Sequence, residues 1–462
     1  MSPLLIALIS LGILVLGIIF VRLPIAFLLA VIGIGGYAVT DGMRFGMESG
    51  FSMALTMAGN ELWGTFSSYG LTVIPLFVFM GQLCFHSGLS SRLYQSVQTW
   101  CGHKRGGLSL ATLLACGAFA AICGSNTATA ATMSVVALPE MRKYKYHDML
   151  ATGSVVAGTT LGAIIPPSVV AIVVGVQTAQ SIEALFMGGL IPGLLLLGLF
   201  MLTVPVVLRG HPEWAPVTER SSWKERLANM GGLVEGAALF GLVVVCMSLG
   251  LFTPTEAGAV GSAIALGIGL VRRTLTFKGF IQALKESLSI ASMLLFLLAG
   301  ASMFGKFLTL TRLPFELAEG LANLPIAEPF ILLLVLLVFV VGGMVMDALA
   351  LLVIALPMFF PLAETMGWNT LWFSVTLIVV TSLGAMTPPV GVAAYVVASL
   401  SGGKKRDTTD LAEDMSNAAC AEPVPLGTVF RGAMLFAPAY LLCLILILLV
   451  PALVTFLPQG LP

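Results

Sequence analysis

The chain writes one unfavourable device twice. Inside two apolar stretches long enough to cross a bilayer, the frame Leu-Gly-Ala-x-x-Pro-Pro recurs, from Leu161 to Pro167 and from Leu383 to Pro389, 222 positions apart. Proline lacks an amide hydrogen and clashes with the preceding turn, so each copy breaks its helix and frees carbonyl groups. In lipid those groups are tolerated only where protein or a hydrated cavity surrounds them. Matching interruptions in two halves of a membrane chain point to a transport site.

Composition agrees with a membrane setting. Hydrophobic residues make up 58% and charged residues 10% of the chain, against about 25% charged in soluble domains. The expected fold class is an all-α polytopic membrane protein. Zero net charge, with no basic stretch alternating with aromatics, argues against a nucleic-acid partner. The seven cysteines (84, 101, 116, 123, 246, 420 and 443) show no metal spacing. The apolar run Pro3 to Phe20 lacks a positive leading region and a small-residue cleavage site, and reads as a retained helix.

Spanning runs fall near 4–21, 24–39, 69–86, 148–178, 183–208, 231–250, 255–271, 289–306, 370–400 and 432–456. Two further runs, 107–141 and 328–361, are too long for one span and turn polar at their middles. Each reads as a re-entrant hairpin, with its tip at Gly124-Ser125-Asn126-Thr127 or at Gly342-Gly343-Met344-Val345-Met346-Asp347. The expected organisation is N-terminal scaffold helices over 1–68 and a first repeat over 69–180, with hairpin 107–141 and broken helix 148–178. Scaffold helices and an interfacial arm over 181–288 follow. A second repeat then covers 289–400, with hairpin 328–361 and broken helix 370–400, before a cytoplasmic loop over 401–431 and a C-terminal helix over 432–462. Arg92, Lys104, Arg105, Arg142, Lys143 and Lys145 flank the first hairpin, and acidic residues dominate beside the second. The positive-inside rule therefore makes the repeats inverted, and a trace of the spans places Lys404-Lys405-Arg406 inside and both termini outside. Stretches 88–104 and 277–288 are amphipathic, as bracing helices in the interface plane or as short surface helices.

The tips and breaks hold the candidate chemistry. At a hairpin tip the carbonyls ending one half-helix suit a small cation, and the amides opening the next suit an anion. Ser125, Asn126, Thr127 and Thr129 are the candidate substrate contacts of the first tip, with Pro167 and Pro389 at the breaks. The same Ser, Asn and Thr residues also read as helix caps. Asp347 is the acidic residue deep in the second hairpin, and an intramembrane carboxylate is a functional candidate because its burial is costly. It reads as an N-cap, a sodium ligand or a proton carrier. Sodium prefers hard oxygen ligands. The candidate sodium shells are Ser125, Asn126, Thr159, Thr160 and Gly162 in the first half, and Gly343, Asp347, Ser382 and Thr387 in the second. Thr253-Pro254-Thr255-Glu256 fits a capping box. The four histidines lie at run ends or in loops, away from any site for an intramembrane enzyme.

These residues also carry a resemblance. Gly124-Ser125-Asn126-Thr127-Ala128-Thr129, Ile164-Ile165-Pro166-Pro167-Ser168, Gln180 to Phe186, Thr253 to Ala257, Met346-Asp347-Ala348 and Thr387 to Gly391 resemble the large (M) membrane subunit of tripartite ATP-independent periplasmic (TRAP) transporters. The likeness runs from about residue 5 to 459. Ser125-Asn126-Thr127 is also similar to hairpin tips of divalent-anion sodium symporters, from which Asp347 departs. The resemblance implies an elevator-type transporter of the bacterial inner membrane, with sodium ions driving uptake of a small carboxylate. It also implies two partners, a small four-helix membrane subunit of the Q type and a periplasmic substrate-binding protein of the P type. The segment 402–425 is longer than the family pattern. A stand-alone symporter or exchanger of related fold is the alternative; an enzyme lacks a buried base, and a scaffold has no use for two broken helices.

Overall fold

The computed structural model describes residues 2–20, 23–217, 221–402 and 422–460. Among these residues helices supply all regular structure, as a largely apolar chain requires when its backbone groups must be satisfied within each segment. The chain opens with α1 (Pro3–Phe20), α2 (Ile25–Phe45), α3 (Met47–Ser67), α4 (Val73–His86) and the amphipathic α5 (Leu89–Cys101). A hairpin follows as α6 (Gly107–Cys123) and α7 (Asn126–Lys143). Then comes an interrupted helix, built from α8 (Asp148–Thr159), a 3-10 turn (Thr160–Ala163) and α9 (Val169–Thr178). The middle of the chain is α10 (Ile182–Gly210), α11 (Trp223–Ala228), α12 (Gly231–Ser248), α13 (Pro254–Val271), α14 (Phe277–Thr311) and α15 (Leu313–Ala322). A second hairpin, α16 (Glu328–Val345) and α17 (Ala348–Thr365), precedes a second interrupted helix, α18 (Thr370–Gly384) and α19 (Val392–Leu400). The chain closes with α20 (Leu426–Met434), α21 (Ala437–Leu449) and α22 (Ala452–Thr455). Eight helices among the described residues are long and apolar enough to cross a membrane, and the bent pair α20 and α21 raises this to nine.

Burial is graded from the outer helices to the broken ones. Side chains such as Leu16, Phe27 and Val31 on α1 and α2 face outward, as lipid-facing residues do. In contrast, every residue from Leu150 to Gly175 and from Trp372 to Thr387 is buried. The first interruption therefore sits inside the protein and the second is buried as far as Thr387, and carbonyls freed by proline find partners: that of Ala163 accepts from the Ser168 hydroxyl and that of Ala385 from the Ala393 N–H. Each second segment packs on the opposite hairpin, α9 against α17 and α19 against α7. The two halves are thereby interlocked.

Four expectations change. Residues 47–67 form α3, which was absent from the predicted runs because its buried stripe is Gly50, Ala54 and Ala58 instead of large aliphatics. Small residues let helix backbones approach closely, and a Cβ at Gly50 would strike the backbone of Gly42 on α2. A helix of 21 residues here removes the basis for the side assigned to the N-terminus. Residues 277–288 are no separate interfacial helix; they run unbroken into α14, 35 residues or about 52 Å long. Residues 426–434 of the expected loop are helical, and α20 packs on α8. The run 432–456 is not one helix, since α20 and α21 meet at a 44° bend. The triplet Lys404-Lys405-Arg406 and most of the 402–425 segment lie outside the described residues.

Candidate functional site

The first tip is two residues long. Gly124 ends α6 with φ of 62°, and Ser125 is the N-cap of α7, its Oγ accepting from the Ala128 N–H at 3.4 Å. The same oxygen meets Thr127 Oγ1 at 3.2 Å, and the Thr129 hydroxyl donates to the Ser125 carbonyl at 2.8 Å. The tip is stitched to the first break, because the Val169 N–H donates to the Gly124 carbonyl at 3.1 Å. Only glycine fits at 124: the backbone is left-handed, and a Cβ would meet the carbonyl of Pro167. Gly162 closes on the tip from the other side, where a Cβ would lie 3.0 Å from the Ser125 carbonyl oxygen and 3.2 Å from Asn126 N. Ser168, buried, caps α9 by accepting from Ala171 N–H at 3.3 Å and donates to the Ala163 carbonyl at 2.6 Å.

The second tip repeats the backbone plan with other side chains. Met346 and Asp347 link α16 to α17, and Asp347 Oδ2 caps α17 by accepting from the Leu349 N–H at 3.2 Å. The Met344 carbonyl accepts from the N–H groups of Val390 at 3.2 Å and Gly391 at 3.1 Å, fastening this hairpin to the second break. Gly343 and Gly384 touch backbone to backbone; a Cβ on Gly384 would lie 2.6 Å from Gly343 Cα. Pro388, Pro389 and Val390 are exposed, whereas their counterparts Pro166, Pro167 and Ser168 are buried. Both Pro–Pro bonds are cis.

The candidate sodium ligands are oxygens, the ligand type a hard cation takes. Asn126 Oδ1 and Ser382 Oγ are buried without a hydrogen-bond partner among the described residues. An unsatisfied buried group costs about 1–3 kcal/mol, so each of these oxygens has an open place for a hydrogen-bond donor or a cation. The hydroxyls of Thr159, Thr160 and Thr387 donate to carbonyls of their own helices, those of Val156 at 2.8 Å, Ala157 at 2.7 Å and Gly384 at 2.9 Å. Their lone pairs remain free to accept. Ser125, Asn126 and Gly162 converge at one tip, and Gly343 meets the Thr381 carbonyl and Gly384 at the other. Thr159 ends α8 and Thr160 opens the 3-10 turn of the first break, and no hydrogen bond among the described residues joins them to the tip.

Three contributors escaped the sequence reading. Ser168 had a usable signal, a serine directly before an apolar helix. Gln177 on α9 donates from Nε2 to the Val353 carbonyl of α17 at 3.4 Å. That carbonyl is the one left without its helical partner by Pro357, four residues on. Arg142 on α7 makes the reciprocal tie, donating to the Ser401 carbonyl beyond α19 at 2.6 Å. Sequence marks Pro357 as freeing a carbonyl but does not show which residue reaches it.

Comparison with known proteins places this geometry in context. The model of the tripartite ATP-independent periplasmic transporter family, DctM component, matches residues 12–453. The C4-dicarboxylate TRAP transporter large permease protein DctM of Pseudomonas aeruginosa is 31% identical, over 87% of this chain and 89% of that protein. The sialic acid TRAP transporter large permease protein SiaM of Vibrio cholerae is 30% identical, over 83% of this chain and 87% of its own length. Among solved structures, the YdaH transporter of Alcanivorax borkumensis superposes with a TM-score of 0.60 at 16% identity, covering 88% of this chain and 90% of that one. That likeness speaks for the fold.

Proposed function

The chain belongs to the DctM family of TRAP transporter large permeases, multi-pass proteins of the inner membrane, and from that premise we propose that it carries out sodium-coupled uptake of a small organic acid. Relatives named for C4-dicarboxylates and for sialic acid support a carboxylate or sugar-acid cargo. A periplasmic binding protein of the P type delivers the acid, and a small membrane subunit of the Q type completes the permease. The hairpins enter from opposite faces, as their flanking charges suggest, so that the two halves are inverted repeats. Tips and breaks travel together as an elevator, carrying acid and sodium past a scaffold.

One observation carries the reading. Asn126, 6% exposed, holds an unpartnered carbonyl oxygen beside the amides that open α7, so cation and anion chemistry meet at a single tip. Sodium at each tip orders it, and the acid's carboxylate docks on the α7 amides and hydroxyls between them. Asp347 supplies the charge that holds the second cation, and the exposed Pro388-Pro389-Val390 turn lines the way in.

The test is uptake into proteoliposomes containing the chain, its small subunit and its binding protein, with and without an inward sodium gradient. Sodium-dependent uptake that Asp347→Ala abolishes is the expected result. Uptake that follows a proton gradient, or needs no binding protein, overturns the coupling or the partner assignment respectively.

A further inference from the structure

Arginines at the two ends of α5 keep different company. Arg92 pairs from Nη2 with Glu235 Oε2 of α12 at 3.0 Å, and Arg272 reaches the other oxygen of that carboxylate at 2.6 Å. Arg226 on α11, 5% exposed, has no ion pair among the described residues. Its guanidinium lies over two indoles, 5.8 Å from the ring centroid of Trp100 on α5 and 5.3 Å from that of Trp223, and its Nη2 donates to His103 Nδ1 at 3.3 Å. Arg226 Nε and Trp100 Nε1 are both buried without a hydrogen-bond partner among the described residues. The carboxylate beside Arg226 in the chain, that of Glu225, is engaged elsewhere, accepting from the Ser222 N–H at 2.8 Å. A buried charge without a countercharge is costly, and aromatic faces offset only part of that cost. Two N–H donors, one of them cationic, with no acceptor between them are the complement of an oxyanion.

The surroundings select the source of that oxyanion. α11 leads directly into the spanning α12, so it lies at a membrane surface. Its Trp223 and Leu227, one turn apart, are each 64% exposed. An apolar pair of this kind on a surface helix enters the boundary between headgroups and acyl chains. We propose that Arg226 and Trp100 form a binding site for the phosphate of an anionic phospholipid, with Trp223 and Leu227 set among its acyl chains. The site is independent of the cargo and of its coupling ion. The Trp223 ring touches the guanidinium and meets Trp100 edge-on at 6.1 Å, so the phosphate reaches the donors when that ring turns outward. Bound there, its oxygens accept from Arg226 Nε and Trp100 Nε1, supply the missing charge and fasten α11 to α5.

The experiment is thermal unfolding of the full chain in a neutral detergent, titrated with phosphatidylglycerol, phosphatidylcholine or inorganic phosphate. Phosphatidylglycerol should raise the wild-type midpoint by about 3 °C more than phosphatidylcholine does. Arg226→Gln should lose that difference. Trp100→Phe, which deletes one donor and keeps a ring, should lose about half of it, and Lys224→Gln, exposed on the same helix, should keep most of it. No lipid difference in the wild type, or an equal one in Arg226→Gln, overturns the proposal. So does an equal loss in Lys224→Gln, because surface charge alone would then account for the effect. Inorganic phosphate that matches phosphatidylglycerol makes this a free-anion site and overturns the lipid assignment. If Arg226→Gln does not accumulate, an undiminished difference in Trp100→Phe is sufficient to overturn it.

Discussion

The two breaks share a backbone and differ in what covers them. At the first, Pro166, Pro167 and Ser168 are sealed in protein, the new helix is capped by a neutral serine, and the neighbouring tip offers a hydroxyl and an amide. At the second, Pro388, Pro389 and Val390 are open, Gly391 opens the helix without a side-chain cap, and the neighbouring tip carries a carboxylate. The sealed break is held by bonds within the protein, from the Val169 N–H to the Gly124 carbonyl and from the Ser168 hydroxyl to the Ala163 carbonyl. An open one leaves part of that task to water and solute. The duplicated plan therefore differs between its copies, with a sealed break beside a neutral tip in the first half and an open break beside a carboxyl-bearing tip in the second.

The most damaging way to break this contrast is to remove the charge while keeping the cap. Asp347→Asn still accepts from the Leu349 amide, so the fold should survive with a stability change under about 1 kcal/mol, whereas uptake should fall at least about a hundredfold, by the cost of an unpaired cation site. Initial-rate transport beside a thermal melt separates the two. A smaller loss would mean that Asp347 is chiefly a cap. The glycine crossings come next. Gly384→Ala forces a Cβ to 2.6 Å from the Gly343 backbone, and Gly162→Ala forces one to 3.0 Å from Ser125. Overpacking of this kind costs about 1–3 kcal/mol, and the second half should suffer more. Detergent melts of both variants give the order directly.

Gln177 tests the interlock with a smaller signal. Gln177→Leu should destabilise by about 1 kcal/mol through loss of one hydrogen bond. In a Pro357→Ala background the Val353 carbonyl regains its helical partner, and the effect of Gln177→Leu should shrink to about half or less. Equal effects in both backgrounds would show that Gln177 packs and does not cap. The mildest test leaves function alone. With the native cysteines replaced, Val390→Cys should react with a water-soluble thiol reagent at least about tenfold faster than Ser168→Cys, since reactivity follows exposure.

Much of this plan was legible because proline and glycine act locally. Pro166-Pro167 and Pro388-Pro389 announced the breaks, and Gly124-Ser125 and Met346-Asp347 fell where the hairpins turn. Helix capping is read from a few consecutive residues, so Ser125 and Asp347 were also within reach. What stayed hidden depends on pairing across hundreds of positions. Tyr440 on α21, buried with its hydroxyl donating to the Val379 carbonyl of α18 at 3.0 Å, lies in an apolar run with nothing nearby to mark that partner, and Gln177 gains its meaning only from Pro357. α3 was missed for a different reason: its buried stripe is glycine and alanine, which pack well but scarcely register as apolar.

The exchange of partners between halves also sets an order of manufacture. A chain is synthesised from its N-terminus, so α9 emerges from the ribosome long before α17, the helix it packs against. Until then the face of α9 and the amide of Gln177 stand uncovered, and α7 awaits α19 in the same way. The N-terminal half is thus born unfinished, and premature termination anywhere before Thr365 leaves an orphan that membrane quality control should recognise and remove.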